Sequence, residues 1–169
     1  MEIRPFDLEK DFDIIKDWIG DERTCAMWCA NNVSYPLEKE SFAEFLKNIK
    51  EKSSDEPFVA VDENDKPVGF YSYSIKKDGN EGFFKFVMVD SSKRGQGIGK
   101  QMMKLAVKKA FEDPEVPAAT LCVFVENPGA KKCYEGAGFK ETQTIKHAFV
   151  FKDEIWGRCH MAVKRGEEL

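Results

Sequence analysis

The apolar positions of the chain change period several times, and each change marks an element. Glu2 to Phe6 reads as a first or edge strand. Asp7 then offers a helix N-cap, and Leu8, Phe12, Ile15 and Ile19 fall on one helical face. Asp21 to Tyr35 mixes Met27, Trp28, Asn31 and Asn32 without a clean period, so no regular element is predicted there. Phe42, Phe45, Leu46 and Ile49 restore an i, i+3, i+4, i+7 stripe and a second helix, with Pro36 tolerable near its first turn. After the charged stretch Lys50 to Glu56, strands at Phe58–Val61 and Val68–Ile75 form a hairpin about Glu63–Lys66. The second alternates Phe70, Ser72 and Ser74 against Tyr71, Tyr73 and Ile75.

Asp78-Gly79-Asn80 turns the chain into a third apolar run, Phe83 to Val89. Polar Asp90-Ser91-Ser92-Lys93 ends that strand, and from Gly97 the apolar spacing becomes helical through Ile98, Met102, Leu105, Ala106 and Ala110 to about Phe111. A Pro114–Pro117 break leads to a strand at Thr120–Val125, stopped by Glu126-Asn127-Pro128. A short helix from Pro128 to Gly136 follows. Phe139–Phe151 and Ile155–Val163 close the chain as a hairpin around Lys152-Asp153. The predicted order is β-α-α-β-β-β-α-β-α-β-β, a mixed α+β or α/β arrangement expected to form one domain over residues 1–169. The two strands joined through the Gly97–Phe111 helix should be parallel, with a right-handed crossover.

The junction between the Phe83–Val89 strand and its helix carries the most specific chemistry. Gly95, Gly97 and Gly99 alternate where a helix begins, although each glycine costs about 1 kcal/mol in a helix interior. Bare backbone lets free amides and the positive end of the helix dipole face an anion, and Arg94 and Lys100 add charge at both ends. A diphosphate suits that arrangement. A Walker loop is excluded because Gln101 follows Gly99-Lys100 and Arg94 stands where its first glycine belongs. The dinucleotide pattern fails because Lys100 replaces its third glycine. A tight turn that holds no ligand would explain the same glycines.

The remaining pattern, Arg94-x-x-Gly97-x-Gly99 after a strand, resembles the coenzyme A loop of the Gcn5-related N-acetyltransferases. Downstream, Asn127, Ala130, Tyr134, Gly138 and Phe139 stand at that family's N-x-x-A-x-x-x-Y-x-x-x-G-F spacing, so the likeness covers about residues 83 to 140 with two separated motifs in order. The resemblance implies a mostly antiparallel sheet with a central parallel pair, and acetyl-coenzyme A as cosubstrate. It implies that Gly95, Gln96, Gly97, Ile98, Gly99 and Lys100 hold the diphosphate with Arg94. The backbone of Val87, Met88 and Val89 would pair with the pantetheine arm, and Asn127 and Ala130 would line it. Tyr134 is implied as the acid that protonates the departing thiolate; packing beside Gly138-Phe139 is the alternative.

Some relatives that modify protein N-termini carry a Glu five residues before the motif Asn. Cys122 stands there, and its size suits a buried apolar site better than catalysis. Glu126, Glu81 and Asp90 are nearby acids that read as solvated, so no general base is assigned. Lys131-Lys132 and Lys108-Lys109 read as exposed helix faces, one of which meets the cofactor's 3′-phosphate if the likeness holds in detail. Trp28, Asn31, Asn32 and Tyr35 fall where the family builds its acceptor wall between its first two helices; core or surface packing accounts for Trp28 equally well.

Composition narrows the function classes. A net charge of −4 argues against a nucleic-acid surface and suits a cationic amine acceptor. There is no run of 18 apolar residues, and Met1-Glu2-Ile3-Arg4 is not a signal peptide, so no membrane partner is expected. Five cysteines, an odd number, fit reduced thiols in the cytoplasm; Cys25 and Cys29 lie far from His147 and His160, so no metal site is expected. The leading expectation is transfer of an acetyl group from acetyl-coenzyme A to a primary amine, on a protein N-terminus (RimJ/RimL-like) or a small molecule. A coenzyme A-binding sensor or scaffold is the alternative, and monomer and homodimer both remain open.

Overall fold

Capping side chains start three of the helices, and one irregular strand opens the sheet between them. The computed structural model describes residues 1–167 and 169. Its elements are β1 (Glu2–Pro5), α1 (Leu8–Ile15), α2 (Glu22–Cys29), α3 (Lys39–Ser53), β2 (Glu56–Val61), β3 (Pro67–Ile75), β4 (Gly82–Val89), α4 (Ile98–Ala110), β5 (Ala118–Phe124), α5 (Pro128–Gly136), β6 (Lys140–Phe151) and β7 (Glu154–Lys164). Asp7 accepts from the Glu9 and Lys10 amides at 3.0 and 3.3 Å, and Asp21 accepts from Thr24 at 2.6 Å. Each satisfies donors that the first helical turn leaves unpaired.

The strands form one sheet in the order β1-β2-β3-β4-β5-β7-β6. All pairs are antiparallel except β4 and β5, which are parallel as the crossover through α4 requires. On one face α1 and α3 bury Phe12, Ile15, Phe42, Phe45 and Ile49 against Val59, Phe70 and Met88. On the other, α4 and α5 bury Met102, Met103, Ala106, Val107 and Tyr134 against Val68, Tyr71, Phe84 and Leu121. A third cluster sets Ala26 of α2 on Phe124, Phe151 and Trp156, tying α2 to the β6–β7 hairpin.

Two expectations are corrected here. Residues 22–29 are helical where no element was predicted. The buried stripe of α2 is Cys25, Ala26 and Cys29, whose small side chains give little periodic signal. In β3 the expected alternation does not separate a wet face from a dry one: Val68 to Ser72 are all buried, because helices cover both sides of the sheet.

The irregular strand is β4. Its pairing with β5 runs through Gly82, Phe83 and Phe84 opposite Ala119, Thr120 and Leu121, and the register ends there. Against β3, Met88 pairs with Phe70 and Lys85 with Ser72, so Phe86 and Val87 together oppose Tyr71. Two residues against one make a β-bulge, which bends a strand and raises its twist. Phe86 carries it at φ +53°, a conformation that costs a side-chain-bearing residue about 1–2 kcal/mol. The Trp28 indole N–H donates to the Phe86 carbonyl at 2.7 Å and pins the distortion. Beyond it β4 and β5 diverge, and a cleft opens between them.

Candidate active site

The cleft has a volume of about 1020 Å³ and passes from α4 and α5 on one side of the sheet to α2 on the other. Of the residues singled out from the sequence, Val87, Met88, Val89, Arg94, Gly95, Gly97, Ile98, Gly99, Lys100, Asn127, Ala130 and Tyr134 all line it. Gln96 does not; it is exposed at the tip of the loop, outside the cleft wall.

The loop before α4 is anchored from its strand side. Asp90 donates its amide to the Val68 carbonyl at 3.0 Å, and its carboxylate accepts from the Ser92 amide and hydroxyl at 3.0 and 2.7 Å. Asp90 is therefore a buried turn-holder, not the solvated acid expected. The first backbone bond of α4 runs from Gln101 N–H to Gly97 C=O at 3.0 Å, and among the described residues the amides of Ile98, Gly99 and Lys100 have no backbone acceptor. The three alternating glycines serve two purposes. Gly95 and Gly97 lie at φ +78° and +77° with open space where a Cβ would stand, so conformation demands glycine there. Gly99 answers to packing: a Cβ would come within 2.8 Å of Cys133 Sγ and 3.3 Å of Val89 Cγ2. It lets α4 close on α5. An open loop, three unclaimed amides and two flanking cations fit a diphosphate.

Helix α5 brings the second motif to the cleft. Asn127 Oδ1 accepts from the Ala130 amide at 3.2 Å and Pro128 occupies the first turn, so the Asn side-chain carbonyl is engaged as a helix cap. Tyr134 is 7% exposed, edge-on to Phe139, and reaches the cleft wall. Burial pushes its phenol above the ordinary tyrosine value.

On the α2 side, Cys122 Sγ lies 3.4 Å from His160 Nδ1 on the neighbouring β7, while His160 Nε2 is buried without a partner. Burial pushes the Cys122 thiol up and the His160 imidazole down, with Arg158 and Lys76 lowering both. The pair is therefore a neutral thiol against a neutral imidazole at pH 7, without the ion-pair character of an activated cysteine.

Glu126 is the single acid on the cleft wall among the described residues, and both its oxygens accept from the Gly157 amide at 3.2 Å. Glu81 faces Lys76 at 3.1 Å, elsewhere. Trp28 and Asn32 line the cleft, whereas Asn31 does not and the Tyr35 hydroxyl donates to Gly20 C=O at 2.9 Å, away from it. Lys132 lines the cleft; Lys131 is held by Glu141 at 2.5 Å, and Lys109 lies over the Phe58 ring. Among the described residues no group of three His, Cys, Asp or Glu is placed to hold a metal, and no helix is long and apolar enough to cross a membrane.

Residues 12–139 match the acetyltransferase (GNAT) family. The chain belongs to that family. An aminoglycoside N(6')-acetyltransferase type 1 of Klebsiella pneumoniae is 22% identical over 148 residues, covering 81% of this chain and 73% of its own. Among solved structures, a spermidine N-acetyltransferase from Vibrio cholerae, in complex with coenzyme A and spermine, superposes with a TM-score of 0.80 at 18% identity, covering 98% of this chain and 96% of its own. An aminoglycoside acetyltransferase in complex with coenzyme A and kanamycin gives 0.73 at 21% identity, covering 96% and 94%. Those structural likenesses establish the fold, and the family match makes this chain an acetyl-coenzyme A-dependent N-acetyltransferase.

In this acetyltransferase several cleft residues had no signal in the sequence. Arg158 lies on β7, beyond both sequence motifs, and reaches the cleft only because β7 pairs beside β5. Arg23 and Met27 arrive on the helix that the periodicity missed. The Asp21 cap was the one local sign of that helix.

Proposed function

We propose that this chain moves the acetyl group of acetyl-coenzyme A directly to a primary amine, on a small molecule or a protein N-terminus, admitted from the α2 side of the cleft. The observation that carries the reading is the divergence of β4 and β5. It gathers the unclaimed α4 amides, the unpaired length of β4 and the Tyr134 phenol around one space. The bound cosubstrate supplies a thioester-activated acetyl group. The chain's own part is to bind, orient and exchange protons. The Ile98, Gly99 and Lys100 amides hold the diphosphate with Arg94 and the Lys100 side chain. The backbone of Val87, Met88 and Val89, which has no β5 partner, orients the pantetheine arm as a further strand, and Asn127 and Ala130 bound it on the α5 side. Tyr134 holds a proton where the thiolate departs, and its raised pKa keeps that proton through neutral pH. The neutral Cys122–His160 pair supports direct transfer over a route through an acylated cysteine.

The relatives named for aminoglycoside and spermidine acetylation support a primary amine as acceptor. The test is thiol release from acetyl-coenzyme A across N-terminal peptides, amino acids, polyamines and aminoglycosides, with Tyr134→Phe beside the parent protein. Turnover with at least one amine is expected. In single-turnover assays Tyr134→Phe should slow the chemical step while acetyl-coenzyme A affinity is kept. An unchanged rate removes Tyr134 from its role; coenzyme A binding without turnover of any amine leaves the sensor reading.

A further inference from the structure

The chain is acidic overall, yet among the described residues its cleft is lined by seven cations, Arg23, Lys85, Lys93, Arg94, Lys100, Lys132 and Arg158, against one acid, Glu126. The phosphate-binding end accounts for those on the loop, α4 and α5. The three on the α2 side do not belong to it, and two of them are already neutralised. Arg23 pairs with Glu154 at 3.1 Å, and Lys85 pairs at 2.5 Å with Asp55, whose carboxylate is fully buried. Arg158 has no ion pair among the described residues.

Its place is fixed by the sheet. Arg158 is the register partner of Phe124, and His160 that of Cys122, so all four share one face. Phe124 packs on Ala26 of α2, which puts that face on the α2 side, opposite the α4 and α5 helices. The Arg158 guanidinium carbon stands 6.0 Å from the Phe124 ring centre, within cation–π range. One residue away, Gly157 donates its amide to Glu126. Among the described residues, the two charged groups of this wall without an ion pair are the Arg158 guanidinium and the Glu126 carboxylate, the latter held by the Gly157 amide and near Arg23.

From this we propose that the acceptor is an amine that also carries a carboxylate, with Arg158 as the residue that anchors it. The inference rests on the transfer reading above and narrows its acceptor. A planar guanidinium grips a carboxylate through two parallel N–H donors, a geometry that an ammonium cannot copy. A polyamine or an aminoglycoside brings several positive charges to a wall with a single carboxylate and sets one of them near Arg158. An amino acid, or an N-terminus followed by an acidic residue, meets both charges with the opposite sign.

The experiment compares kcat/KM for amines that differ in one carboxylate. Lysine against cadaverine tests the free amino acid; a tripeptide with Asp in second place against its Asn counterpart tests the N-terminus. At least one carboxylate-bearing partner should be favoured about tenfold or more, and the arm that shows it names the source. Arg158→Gln should lower that preference by about 10- to 100-fold, chiefly through acceptor KM, the range expected for a lost charged hydrogen-bond pair. Arg158→Lys should recover part of it. Unfolding midpoints of both variants guard against a folding defect, and the comparison within the parent protein needs no variant. Equal or higher kcat/KM for cadaverine and the Asn peptide overturns the acceptor inference while transfer stands, as does a preference that Arg158→Gln leaves unchanged. No thiol release with any amine overturns the transfer reading and this inference with it.

Discussion

Gly99 offers a direct test of how the two cofactor-side helices meet. Its Cβ position lies 2.8 Å from Cys133 Sγ, too close to stand without a shift, and 3.3 Å from Val89 Cγ2, slightly inside ordinary contact. In Gly99→Ala either the Cys133 side chain rotates or α4 and α5 move apart. Overpacking of this kind costs about 1–3 kcal/mol. Alanine returns about 0.5–1 kcal/mol by raising helix propensity. The expected net loss is about 0–2.5 kcal/mol, and each kcal/mol corresponds to about 2–4 °C in Tm for a chain of this size. Urea unfolding followed by tryptophan fluorescence reads it, since Trp18 and Trp156 are buried. The decisive measurement is a double-mutant cycle. Cys133→Ala should be destabilising alone yet restore about 1 kcal/mol or more in the Gly99→Ala background. Gly97→Ala is the contrast: its loss of about 1–2 kcal/mol arises from φ +77° in open space, so Cys133→Ala should not rescue it. A coupling to Cys133 below about 0.5 kcal/mol refutes the reasoning, whatever the net stability of Gly99→Ala.

Burial holds the Tyr71 and Tyr134 phenols protonated above their ordinary value, whereas in the unfolded chain they ionise near pH 10. Stability should therefore be level through neutral pH and fall above about pH 10, by up to about 1.4 kcal/mol per pH unit for each phenol; Tyr134→Phe should make the alkaline slope shallower by one proton, and an unaltered slope contradicts the burial. Asp11 has a fully buried side chain that accepts from both terminal nitrogens of Arg4 at 2.8 Å and from the Asp7 amide at 2.9 Å. Breaking a buried pair costs about 3–5 kcal/mol, and because Arg4 is 24% exposed and keeps Asp65, Asp11→Ala should cost about 2–4 kcal/mol in urea unfolding. Trp28→Phe strands the Phe86 carbonyl and should cost about 1–3 kcal/mol; a smaller loss means that the β4 bulge does not depend on the indole.

Much of the site was legible because its requirements are local. Asn127-Pro128 is a cap followed by a first-turn proline, and α5 begins and ends where those residues and Gly136 put it. A strand, a polar break and alternating glycines before an apolar stripe can only be read as a strand running into a helix start, and Gly97 caps α4 as that reading requires. What was not legible depends on partners distant in sequence. The Phe86 bulge carries no Gly or Pro to announce it; it exists because Tyr71 opposes two residues and Trp28 holds the carbonyl. The Asn127 side chain, singled out for a cofactor contact, lines the cleft and has a second task that its motif does not announce: its Oδ1 caps α5 by accepting from the Ala130 amide three residues on. The overall negative charge suggested a cationic acceptor, whereas the sum over a chain carries no information about which charges face the cleft.

The sequence by itself determined the order of the strands and of every helix but α2, the free amides at the start of α4 and the helix that carries Tyr134, because capping, periodicity and glycine conformation act within a few residues of where they are written. Only the tertiary structure decided that β4 and β5 part, that Gly99 is needed for helix contact, and that Arg158, without an ion pair among the described residues, lines the α2 side of the cleft. Those follow from strand register and from which side chains neutralise one another, and both are properties of residues brought together across the sheet.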